Sequence, residues 1–143
     1  MNFKDLYELI AERKRTLPER SGTTVLLKHG FQKILPKFNE EAFEVGLALE
    51  KEGPDEVALE VSQCFYYIIC LAVYLDLPLE NLDLNFEFEG SFENEHDLAK
   101  KCARIAALVC HRPCVETMNQ MTPLLFEAIK MKKTTLDKMF SYL

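Results

Sequence analysis

Glu40-Glu41-x-x-Glu44 sets three carboxylates at helical spacing, and after fifteen intervening residues Glu60-x-x-Gln63 adds a fourth with a carboxamide. Residues three apart share a helix face, so Glu41 stands with Glu44 and Glu60 with Gln63. If the two helices pack antiparallel, three carboxylates and one carboxamide can converge. Such crowding of negative charge is destabilising unless a hard divalent cation, foremost Mg²⁺, reverses the sign of the interaction.

Their surroundings sharpen the point. The first helix carries an apolar stripe through Ile34, Phe38, Val45 and Ala48, and Glu41 falls on it. The second runs through Val57, Val61, Cys64, Ile68, Leu71 and Leu75, with no charged residue from Cys64 to Leu75. A helix apolar on nearly every side is surrounded by protein. Carboxylates at its start are costly unless paired or bound to metal. The plainer alternative is a solvated acidic face on ordinary amphipathic helices.

Basic residues precede the carboxylates. Residues 1–37 hold eight Lys or Arg against four acids, whereas residues 76–97 hold eight acids and no Lys or Arg. Phosphate chemistry uses this adjacency, with a metal to bridge some oxygens and cations to hold the rest. The overall net charge of −6 argues against binding nucleic-acid polymers.

The chain of 143 residues, 48 % hydrophobic and 28 % charged, is expected to fold as an all-α bundle with a full core. No apolar run reaches the ~20 residues of a membrane span, and the N-terminus lacks signal-peptide regions, so a cytoplasmic protein without membrane contact is expected. The five cysteines read as reduced thiols. Cys110, His111 and Cys114 lack the second half of a zinc site. A di-iron bundle needs paired Glu-x-x-His motifs, and only Glu93-x-x-His96 fits.

The periodicity predicts helices at Phe3–Arg15, Val25–His29, Phe31–Lys51, Glu56–Leu75, Leu79–Leu82, His96–Val109 and Val115–Lys132, with a last short helix to the C-terminus. Thr23 or Thr24 is the expected cap of the second, with Gly30 closing it. Pro36 is expected to delay the start of the third until after Leu35. Asp55 is the expected cap of the fourth, and Thr122-Pro123 an expected kink. Phe86-Glu87-Phe88-Glu89-Gly90 alternates like an edge strand or an extended linker. Residues 1–85 read as one helical domain, 86–95 as an acidic linker and 96–143 as a helical extension. The extension faintly echoes the first part but lacks its carboxylates.

Residues 17–82 closely resemble phosphoribosyl-ATP pyrophosphatase, within the MazG-like all-α nucleotide pyrophosphohydrolase superfamily. The resemblance rests on Leu17-Pro18-Glu19, Ser21-x-Thr23, Leu26-Leu27, Gly30, Lys33-Ile34-x-x-Lys37, Glu40-Glu41-Ala42-x-Glu44-Val45, Glu56, Glu60 and Tyr66, with Leu6-Tyr7-x-x-Ile10-x-Glu12-Arg13-Lys14 before them. It implies a MazG-like helical bundle, a dimer or higher homo-oligomer, and Mg²⁺ (Mn²⁺ as substitute) held by Glu41, Glu44, Glu60 and Gln63. It further implies hydrolysis of the α–β phosphoanhydride of phosphoribosyl-ATP or another (deoxy)nucleoside triphosphate, with release of pyrophosphate. Glu40 is the candidate to orient or deprotonate water; Lys33, Lys37, Arg13 and Lys14 are the candidate substrate contacts. Two positions depart from the family pattern. Gln63 stands where the family has Asp, which makes a weakened, nucleotide-binding or regulatory protein the alternative. Tyr67 stands where histidine-pathway members often have His.

Overall fold

The computed structural model describes residues 1–87, 90 and 92–143, and among these every regular element is helical. Seven α-helices follow in order: α1 Phe3–Thr16, α2 Gly22–His29, α3 Phe31–Lys51, α4 Pro54–Tyr74, α5 Glu95–His111, α6 Val115–Met131 and α7 Leu136–Phe140, with a 3₁₀ turn at Leu79–Asn81 after α4. The expected alternating strand falls largely on Phe88 and Glu89, outside the described residues; Phe86 and Glu87 form a turn.

Local chemistry sets the boundaries. Asn2 and Asp5 form a reciprocal cap on α1. Ser21, rather than Thr23 or Thr24, caps α2, its Oγ accepting the Thr24 N–H at 3.3 Å. Gly30 then joins α2 to α3 with φ +64°, and a Cβ built there would fall 2.4 Å from the Tyr74 ring, so only glycine fits. Pro36 lies inside α3 instead of delaying it. Pro36 and Gln32 are both exposed, so the Gln32 carbonyl that loses its amide partner remains open to water. Asp55 does not cap α4. Its N-cap is Gly53, whose N–H donates to the Glu56 carboxylate at 3.2 Å, with Pro54 in the first turn. The helix likewise runs through Pro123 in α6 unbroken. Thr135 caps α7.

Helices α3 and α4 form an antiparallel hairpin, as do α5 and α6, and the hairpins pack with α5 on α3 and α6 on α4. Helices α1 and α7 also lie against α4. The cover over the apolar run therefore comes from within the chain. Phe3 of α1 stacks on Phe65 of α4 at 4.7 Å, and Phe65 on Phe126 of α6 at 5.1 Å; Phe140 of α7 meets Phe3 at 4.9 Å. Twelve α4 residues are buried. With 21 residues and a mean hydropathy of 1.6 in its most apolar window, α4 is long and apolar enough to cross a membrane, which the sequence reading did not anticipate. Yet 67 % of that window is buried inside the protein, as expected for a central core helix.

Candidate functional site

The site forms along one edge of the α3–α4 hairpin. On α3, Lys33, Lys37, Glu41 and Glu44 recur at helical spacing along one stripe, with Glu40 beside them. On α4, Glu60, Gln63 and Tyr67 make the facing stripe. The hairpin is antiparallel, and the Phe31 and Tyr74 rings meet at 5.1 Å near one end. That register sets Glu44 across from Glu60 and Lys37 across from Tyr67.

The carboxylates interact strongly. The Glu60 carboxyl is pushed up from its ordinary value to about 7 by partial burial, by a hydrogen bond with Glu41, and by the charges of Glu41, Glu44 and Glu52. Protonation of Glu60 therefore relieves like-charge repulsion within this cluster, the same repulsion that a bound cation would offset. Glu52 went unmarked in the sequence reading; it follows the last turn of α3, two turns beyond Glu44, and that spacing was its only signal. Gln63 is half-buried, and its carboxamide has no hydrogen-bond partner among the described residues. Glu40 is exposed and pairs with Lys37 at 3.7 Å. Among the described residues, no three His, Cys, Asp or Glu side chains already stand together as a finished metal cage. Glu41, Glu44 and Glu60 are near enough to perturb one another, but their oxygens are not gathered on one point.

Next to the carboxylates, Lys33 and Lys37 line a cavity of about 310 Å³ with Tyr66 and Tyr67 of α4 and Gly22, Val25 and Leu26 of α2. The Tyr66 hydroxyl bonds to Thr23 Oγ1, which ties the start of α2 to the middle of α4. Tyr66 and Tyr67 meet edge to face at 5.1 Å and 72°. Tyr67 is half-buried; its phenol is pushed up by burial, then by Glu41, Cys70 and Glu40, so it stays a hydrogen-bond donor at neutral pH. Sequence reasoning left both tyrosines out of the site, although both lie one turn beyond Gln63.

Of the other two candidates, Lys14 lies elsewhere. The Lys14 amine donates to the Val73 carbonyl at 3.0 Å and pairs with Asp76 at 2.6 Å, at the far end of α4. Val73 is thirteen residues beyond Glu60, roughly 20 Å along a helix rising 1.5 Å per residue. Lys14 is therefore a cap on the last carbonyls of α4. The Arg13 side chain makes no hydrogen bond or ion pair among the described residues, although its carbonyl accepts the Leu17 N–H at 2.8 Å. The minor candidates are also resolved. His96 bonds to Glu50 across α5 and α3, with no second Glu-x-x-His half beside it. Cys110 faces the Leu35 carbonyl and Cys114 faces Thr117, and all five cysteines are free thiols.

Comparison with known proteins places the chain in a family. A family model described as phosphoribosyl-ATP pyrophosphohydrolase matches residues 3–87, which hold α1 to α4 and all the site residues. The phosphoribosyl-ATP pyrophosphatase of Lactiplantibacillus plantarum is 40 % identical over 72 residues, covering 50 % of this chain and 68 % of that protein. The phosphoribosyl-ATP pyrophosphatase of Salinibacter ruber is 38 % identical over 80 residues, covering 56 % of this chain and 92 % of that protein. The histidine biosynthesis bifunctional protein HisIE of Bacillus subtilis is 36 % identical over 80 residues, which are 56 % of this chain and 38 % of that protein. No solved structure matches. The three matches each span 50–56 % of this chain.

Proposed function

The chain belongs to the phosphoribosyl-ATP pyrophosphohydrolase family, and on that premise we propose that it hydrolyses the α–β phosphoanhydride of phosphoribosyl-ATP in the cytoplasm, releasing pyrophosphate with the help of Mg²⁺. The observation that carries this reading is the juxtaposition on one hairpin edge of the Glu41, Glu44 and Glu60 cluster with the cavity lined by Lys33 and Lys37. Relatives named for this activity supply the substrate.

The donor set fits a hard cation. Glu41, Glu44 and Glu60 offer carboxylate oxygens, and Gln63 offers one neutral carbonyl oxygen without a hydrogen-bond partner among the described residues. The upward push on the Glu60 carboxyl by Glu41, Glu44 and Glu52 is the mutual repulsion that a cation would offset there. When bound, Mg²⁺ would polarise the phosphoryl group and lower the pKa of water.

The chain's own residues do the rest. Lys33 and Lys37 bind phosphate oxygens and balance the charge that builds on the bridging oxygen as the P–O bond breaks. The bridging electron pair leaves with pyrophosphate. Glu40, exposed and one turn from Lys37, would orient a water and accept its proton as the oxygen attacks phosphorus. Val25 and Leu26 of α2 give the cavity an apolar wall opposite the lysines.

Gln63 favours one second reading, a nucleotide-binding protein with slowed hydrolysis, because a carboxamide supplies an oxygen without charge. Pyrophosphate release measured across a nucleotide panel with Mg²⁺ and Mn²⁺ decides between them. Turnover of phosphoribosyl-ATP supports the enzyme; tight binding without release of pyrophosphate supports the second reading.

A further inference from the structure

Resting on that reading of the site, we propose that Tyr67 contacts the substrate. Its phenol would donate a hydrogen bond to a phosphate oxygen lying between the carboxylate cluster and Lys37, and so position the scissile group.

The placement comes from the two helices. Tyr67 lies seven residues after Glu60 and four after Gln63, on one stripe of α4. Across the antiparallel hairpin it faces the turn of α3 that carries Lys37, and both line the same cavity. A phosphate chain that reaches from the carboxylates to Lys33 therefore passes the Tyr67 hydroxyl.

The two tyrosines of the cavity are not equivalent. The Tyr66 hydroxyl is committed to Thr23. The Tyr67 hydroxyl has no hydrogen-bond partner among the described residues, although the side chain is half-buried. Its ring is held edge-on against Tyr66, at 5.1 Å and 72°, so its direction is set before a ligand arrives. A preset donor without a partner, in a cavity with two lysines, matches an anionic oxygen. The phenol also adds no charge to a site crowded with carboxylates.

The test compares wild type, Tyr67→Phe and Tyr67→His, each as the full chain, in two measurements. The first is calorimetric binding of inorganic pyrophosphate in the presence of Mg²⁺. The second is steady-state pyrophosphate release from phosphoribosyl-ATP. Tyr67→Phe should weaken binding or kcat/KM by roughly 10- to 100-fold, the range for a lost hydrogen bond to a charged group. Its melting temperature should stay at the wild-type value, because no protein hydrogen bond is lost. Tyr67→His restores a donor and should recover part of the loss. Tyr67→Phe within twofold of wild type in both measurements overturns the proposal, as does a loss that Tyr67→His leaves unrelieved. If wild type releases no pyrophosphate from any nucleotide, the proposed hydrolysis fails, and the binding measurement alone decides on Tyr67. Equal pyrophosphate affinity in wild type and Tyr67→Phe then overturns it; weaker affinity in the variant supports it.

Discussion

Glu60 on α4 faces Glu41 on α3, and after its own partial burial the nearness of Glu41 does most to push the Glu60 carboxyl up to about 7. Glu44 and Glu52 add charge from the same side. Like charges held together on the edge of a hairpin mark a site built for something other than stability.

The contact makes stability depend on pH. The folded-state pKa of Glu60, at about 7, lies above its unfolded value, so the folded chain binds the extra proton between about 4.5 and 7. Stability is then full below the unfolded pKa and falls as pH rises through 7. After discounting for the group's exposure, the loss is on the order of 1 kcal/mol, a few degrees in Tm. Thermal melts in EDTA at pH 5 and pH 8 check this; Glu60→Gln should flatten the difference.

Glu41→Gln, Glu44→Gln and Glu60→Gln should each abolish pyrophosphate release while leaving the metal-free fold intact or firmer, because each relieves repulsion. Melts in EDTA alongside the release assay check this. Three variants that gain stability and keep full activity would remove the metal site from the account.

Gln63→Asp adds a carboxylate one turn from Glu60. Mg²⁺ binding should tighten and turnover should rise, while the metal-free chain loses stability through the added like charge. Its Tm should climb with Mg²⁺ concentration more steeply than wild type's. A variant whose Tm ignores Mg²⁺ would show that position 63 faces away from the cation.

Lys14→Ala and Lys37→Ala should separate structure from substrate binding. Lys14 holds the Val73 carbonyl and Asp76, so its loss should lower stability by about 1 kcal/mol and leave KM unchanged. Loss of Lys37 should raise KM roughly tenfold at nearly constant Tm, about 1.4 kcal/mol of phosphate binding. Denaturant melts and steady-state kinetics on both variants check the split.

Phe126→Ala should destabilise the whole chain by about 3–5 kcal/mol, the usual cost of emptying a buried aromatic site. Phe126 of α6 packs against Phe65, Phe3 and Phe86, so the C-terminal hairpin belongs to the same core as the site. A single cooperative transition, shifted as a unit, is the expected melt.

Much of this was legible in the residues. Helical periodicity is a local signal, and it placed α3 and α4 because their apolar stripes face packed neighbours. The stripe positions of Glu41 and Glu60 were readable for the same reason. Caps were less so: Ser21 and Gly53 won over Thr23 and Asp55 because the neighbouring turns set where backbone N–H groups point. Pro36 was misread as delaying the start of α3, since burial of the surrounding helix outweighs one lost hydrogen bond. Lys14 looked like part of the basic prelude, and only tertiary packing brings it to Asp76. Tyr67 escaped notice as a site residue because an aromatic on an apolar helix reads as core until α2 and the lysines are set around it.

The most direct measurement is pyrophosphate release from phosphoribosyl-ATP, with Mg²⁺ present and then removed by EDTA, for wild type and Glu60→Gln. The account predicts stoichiometric release by wild type that stops in EDTA and returns on adding Mg²⁺, with no release by Glu60→Gln at any Mg²⁺ concentration. Release that continues in EDTA, or that Glu60→Gln sustains at the wild-type rate, contradicts it.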